Sequence, residues 1–90
     1  MLTKQFVILT YDVGVKRNSR VLKICRKYLI HVQKSVFEGY ISDKQLSSLM
    51  NTLKNSIDIE CDQIAIYKWN YAKSFEKEVI GYHLTNDNII

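Results

Sequence analysis

Two stretches of helical period, each preceded by a short β-forming run, leave this chain of 90 residues few ways to fold. The clearer stretch is SDKQLSSLMNTLKNSI. There Leu46, Leu49, Met50 and Leu53 recur at i, i+3, i+4 and i+7, which lines one face of a helix. Ser42 and Gln45 have capping-box spacing ahead of that stripe. Asp43 suits the positive end of the helix. The other stretch is GVKRNSRVLKICRKYLI, where Val21, Leu22, Cys25, Tyr28 and Leu29 repeat at helical spacing while Lys and Arg fill the remaining surface. Gly14 lies in its connection, where a free backbone suits a sharp change of direction. This helix is expected to begin three or four residues after Asp12.

The intervening runs read as strands. QFVILTYDV is short, apolar and rich in β-formers, the pattern of a strand covered on both faces. HVQKSVFEGYI is either one bent strand or a short and a longer strand with a tight reversal near residues 33–35. Gly39 within it points to a bulge or a close backbone approach. IDIECDQ is a polar turn into IAIYKWNY, where Ile64 and Ile66 alternate with Ala65, Tyr67 and Trp69. NYAKSF reads as a loop, EKEVIGYHL as a last short strand and TNDNII as a polar tail. No internal repeat, linker or low-complexity segment interrupts the pattern.

The order is therefore strand, helix, one or two strands, helix, strand and an extra C-terminal strand. It predicts an α+β sandwich, with two helices on one face of a mostly antiparallel sheet. The ferredoxin-like βαββαβ arrangement is the common solution for such a chain. One domain is expected over residues 1–82, with a short tail at 83–90. A chain of this size buries only about two-thirds of its unfolded surface. A bare apolar sheet face would then favour a dimer.

Charge is unevenly placed. The net charge is +4, yet between Val13 and Phe37 there are seven basic residues and no acid. That asymmetry points to a polyanion, with nucleic acid as the default partner. Its alternative is a solvated helix face. Cys25 and Cys61 have no metal-ligand spacing and read as small buried apolar groups in a reducing compartment. MLTKQ leads straight into a strand, and the longest aliphatic or aromatic run, residues 6–9, is too short to span a membrane. A cytoplasmic protein with no membrane partner is expected.

The residues also carry a resemblance. YDV ends the first strand, RVLKICRKYL lies on the basic helix, VQKSVFEG follows, and a capped helix and a terminal VIGY complete the series. Together, over residues 5–82, these resemble the small core CRISPR adaptation proteins, the partner subunits of the spacer integrase, described as metal-dependent endoribonucleases. The resemblance implies a symmetric homodimer whose last strand crosses to the partner's sheet. It implies a scaffold that bridges integrase dimers along incoming DNA during spacer acquisition. It places the family's acidic residue on Asp12 beside Tyr11, its helix basic residues on Arg17 and Arg20, and its Ser and Phe on Ser35 and Phe37. Some relatives have Arg where this chain has His31.

Asp12 then admits two readings. As a catalytic residue with Tyr11, it would hold Mg2+, which one or two carboxylates plus substrate phosphates bind. Glu38 and Asp43 qualify as second ligands only where the fold brings them close. A two-fold dimer offers Asp12 of the second copy instead. Alternatively, Asp12 caps the turn into the first helix. Tyr11 either stacks on a base, orients Asp12 or is a buried aromatic. Lys16, Arg17, Arg20, Lys23, Lys27, Lys34 and Ser35 are the candidate nucleic-acid contacts, fixing position through phosphates. Ser35 is otherwise a turn residue. Phe37 is core or dimer contact, and Tyr67, Trp69, Val79 and Ile80 complete the expected dimer interface. His31 and His83 are isolated, which argues against proton transfer.

Three functions compete on these features. One is the adaptation subunit, a DNA- or RNA-binding dimer with magnesium-dependent endonuclease activity. Another is a stand-alone virulence-associated ribonuclease toxin of the same fold. The third is a small RNA-binding module, weakened because no aromatic run such as GFGFV is present.

Overall fold

The computed structural model describes residues 4–69 and 75–81. In chain order these form β1 (Lys4–Asp12), α1 (Val15–Arg26), β2 (Ile30–Gln33), β3 (Val36–Ser42), α2 (Asp43–Lys54), β4 (Gln63–Trp69) and β5 (Phe75–Gly81). The five strands make one sheet in the order β2-β3-β1-β4-β5, and every pairing is antiparallel. This is the expected α+β, ferredoxin-like arrangement, with β5 added at the β4 edge.

β1 lies at the centre, paired with β3 on one side and β4 on the other. Its burial alternates strictly. Gln5, Val7, Leu9 and Tyr11 are buried, while Phe6, Ile8 and Thr10 are only half-buried. The expectation of a strand covered on both faces is therefore corrected. Period-two geometry sends alternate side chains to opposite faces, and the helices cover one face alone. The core joins Val7, Leu9, Phe37, Ile41, Ile64 and Ile66 from the sheet to Val21, Ile24 and Cys25 of α1 and Leu46, Leu49 and Leu53 of α2. α1 stops at Arg26, so Tyr28 and Leu29 pack from the turn that follows rather than from the helix.

α2 begins as its sequence dictates. The Ser42 side chain accepts the Gln45 N–H, and the Gln45 side chain reaches back to the Ser42 backbone. Residues 30–42 form two strands, not one bent strand. Lys34 turns the chain with a left-handed φ of 37°, and its carbonyl meets the His31 ring. The irregularity in this hairpin falls between His31 and Gln33, not at Gly39. Nor does Gly39 mark a close backbone approach, since a Cβ there would meet the Leu29 side chain at an ordinary 3.4 Å; its φ of 155° is what favours glycine.

The two cysteines part company. Cys25 is buried, and burial pushes its thiol pKa up to about 12. Cys61 is exposed, because its turn lies at the sheet end, outside the helix layer. β5 pairs with β4 of its own chain, with Gly81 opposite Gln63 and Val79 opposite Ala65. The resemblance had implied a last strand paired with a partner's sheet. The expected loop NYAKSF ends one residue early, since Phe75 already begins β5; residues 70–74 and 82–90, the expected tail included, lie outside the described residues.

Candidate functional site

Asp12 is the last residue of β1 and is exposed. It has the strand parity of Thr10 and Ile8, so it belongs to the sheet face that no helix covers. Among the described residues its carboxylate has no hydrogen bond or ion pair. Nor does it cap α1. The N-cap is Gly14, whose N–H donates to the Asp62 carboxylate at 2.9 Å. The capping reading of Asp12 is thus overturned: Gly14 is the N-cap, and no side chain caps α1.

Among the described residues no second ligand joins Asp12. Glu38 pairs in register with Ile8, four residues back along β1, or about 13 Å at strand rise. Asp43 opens α2 at the opposite end of β1 and accepts a hydrogen bond from Gln5. Among the described residues no group of three His, Cys, Asp or Glu side chains gathers to hold a metal. One open carboxylate beside water and a substrate phosphate still suits magnesium, which retains most of its waters. The one carboxylate present fits such an ion as a single protein ligand.

Tyr11 faces the other way. Adjacent strand residues point to opposite faces, and the Tyr11 side chain is buried beneath α1, its ring stacked 6.2 Å from Phe37. Burial raises its phenol pKa. Its backbone N–H donates to the Ser35 carbonyl at 3.1 Å. Tyr11, His31, Lys34 and Ser35 meet in a cleft of about 620 Å3 between α1 and the β2–β3 hairpin, closed by Val15, Asn18, Ser19 and Leu22. The His31 ring stacks 4.6 Å from Phe37. The fold therefore assembles the second sequence motif around Tyr11, on the face opposite the Asp12 carboxylate.

The basic residues divide. Lys16, Arg20, Lys23 and Lys27 are exposed along α1, at spacings that share one helical face. Lys34 is exposed at the hairpin turn, and Ser35 is half-buried. Arg17 is different. Its Nε donates to one Asp62 oxygen and its Nη2 to the other at 3.0 Å, a bidentate pair. That engagement removes two of the Arg17 donors from the expected phosphate-binding set. The hydrogen bond with Asp62 raises the Arg17 pKa, and the same bond holds the Asp62 carboxyl far below the usual carboxylate range.

Asp62 escaped the sequence reading, where it looked like one more acid in a polar turn. It is fully buried, and it also accepts the Asp58 N–H at 2.9 Å. Its position becomes telling only once β4 is known to pair with β1. Gln63 lies opposite Asp12, which sets Asp62 beside the loop leaving β1.

The expected interface residues also divide. Tyr67, Trp69 and Val79 have the parity of the open face. Phe37 is fully buried and Ile80 nearly so, both on the helix-covered face. These two are core, because the helices already occupy that side. The open face carries an aromatic cluster, with Glu38 and Lys77 among its polar neighbours. Phe6 packs edge-on against Tyr40 at 5.1 Å and lies 6.0 Å from Trp69, while Tyr40 remains 70% exposed.

Residues 5–86 match the family described as CRISPR associated protein Cas2. The chain is 41% identical over 85 residues to the CRISPR-associated endoribonuclease Cas2 of Frankia alni, covering 94% of this chain and 98% of that relative. It is 40% identical over 81 residues to CRISPR-associated endoribonuclease Cas2 2 of Archaeoglobus fulgidus, covering 90% and 88%. A solved structure titled "Crystal structure of cas2" superposes with a TM-score of 0.71 at 35% identity, covering 98% of this chain and 99% of that one. Among the described residues, no helix is long and apolar enough to cross a membrane.

Proposed function

From the premise that the chain belongs to the CRISPR associated protein Cas2 family, we propose that it is a homodimeric, nucleic-acid-binding endoribonuclease of CRISPR adaptation. The observation that carries this reading is Asp12: an open, exposed carboxylate at the end of the central strand, on the sheet face left free by the helices. A second copy packed on that face would supply the second Asp12 and complete the half-site. Two such carboxylates at close range either share a proton or hold a cation. Magnesium, when bound, supplies charge neutralisation at a scissile phosphate and activation of water.

The remaining residues bind and orient. Lys16, Arg20, Lys23 and Lys27 track phosphates without reading sequence, and Lys34 adds charge at the hairpin turn. The same dimer serves the spacer integrase as a scaffold during acquisition, and the reaction takes place in the cytoplasm.

Asp12→Ala tests the reading. Magnesium-dependent cleavage of RNA and DNA should be lost, while sedimentation as a dimer and capture of the integrase remain unchanged. Cleavage by the pure variant at the wild-type rate would remove Asp12 from the site. Spacer acquisition scored in cells with the same variant separates the two roles. Normal acquisition would make the scaffold, and not the hydrolysis, the biological function.

A further inference from the structure

We infer that Asp62 is a positioning residue for the Asp12 site, holding the loop after β1 so that the Asp12 carboxylate projects from a fixed place. The inference rests on the reading of Asp12 given above. Only Val13 and Gly14 separate Asp12 from α1. Gly14 donates its N–H to Asp62, and Arg17, one turn further on, forks onto both Asp62 oxygens. Asp12 itself pairs with Gln63, the neighbour of Asp62. Both ends of the loop are thus referenced to residues 62 and 63.

The cost of this arrangement argues for a geometric purpose. A Ser or Asp at position 14 would cap α1 locally. The chain has Gly there, leaves α1 without a side-chain cap, and ties the Gly14 N–H to a buried carboxylate from beyond a strand pairing. Burying such a charge is expensive and brings stability only where every lone pair is satisfied. Here the carboxylate takes the Gly14, Asp58 and Arg17 donors together. The surroundings are equally tight. A Cβ on Gly14 would lie 2.6 Å from Arg17 Nη2, and one on Gly81 would lie 2.2 Å from the Asp62 carbonyl oxygen. The end of β5 therefore backs the turn that carries Asp62.

The test compares wild type with Asp62→Asn and with the milder Arg17→Lys, which keeps the charge but loses the fork. Circular dichroism and sedimentation establish that each is folded and dimeric. Binding of Mn2+ alone, read by water-proton relaxation, and the separate kcat and KM of magnesium-dependent cleavage then report on the site. Both variants should weaken Mn2+ affinity and kcat, by about 10-fold or more for Asp62→Asn, with KM for nucleic acid within about twofold of wild type. Wild-type Mn2+ affinity and kcat in folded Asp62→Asn, or in folded Arg17→Lys if Asp62→Asn does not fold, would reduce the pair to a structural tie. A wild-type protein that neither binds Mn2+ nor cleaves would instead overturn the reading of Asp12 itself, and this inference with it.

Discussion

The two aspartates on either side of the loop into α1 show how little a residue type says about its role. Asp12 stands out in the sequence, alone after an apolar run, and the fold leaves it open. Asp62 hides in a polar turn, and the fold buries it completely. Its hydrogen bond from Arg17 depresses its pKa well below the usual value, and that sets the sign of an acid effect. The unfolded chain takes up this proton near pH ~4, whereas the folded chain resists it. Below that pH the unfolded state binds more protons, so stability falls as pH falls. The contribution is fully present above the unfolded pKa. Denaturant melts should show wild type losing stability steadily below pH ~4, and Asp62→Asn lacking that component of the slope. Arg17→Met, which leaves the buried carboxylate without its counter-charge, should lower the denaturation midpoint at neutral pH. Parallel acid slopes for wild type and Asp62→Asn would show that Asp62 does not carry the effect.

At the scale of elements, α2 was fully legible because its signals are local. The capping box, the acidic first turn and the Leu stripe all lie within a dozen residues, and each is present as read. α1 was legible as a helix but not in its terminus, since its N-cap Gly14 is held by a residue 48 positions away and no side chain caps the first turn. That same contact alters which cations α1 offers to a polyanion. The exposed set is Lys16, Arg20, Lys23 and Arg26, with Lys27 just beyond the helix end and without Arg17. Reversing Lys16, Arg20 and Lys23 to Glu should weaken duplex binding strongly. It should also flatten the dependence of log K on log salt by about 0.9 for each phosphate contact removed. An unchanged salt slope, measured by titration from low to high salt, would sink the assignment of this face to phosphates.

At the scale of the whole molecule, the helices protect one side of the sheet and leave Phe6, Tyr40, Tyr67 and Trp69 on the other. Such an aromatic surface is the expected centre of an interface. Tyr40→Glu combined with Trp69→Glu should shift the proposed dimer to monomer in sedimentation, weakening association by about 100-fold or more. A double variant that still sediments as a dimer would move the interface elsewhere. The sequence by itself determined the kinds and order of the elements, the Leu-lined α2, the basic α1 and the placement of an acid at the end of β1, because period, capping and charge are read over short distances. Tertiary structure alone decided that β1 is covered on one face, that Phe37 and Ile80 are core, that Cys61 is exposed and that Arg17 belongs to Asp62. Each of these depends on which strands pair and which side the helices occupy. Those choices bring together residues dozens of positions apart, and no local pattern records them.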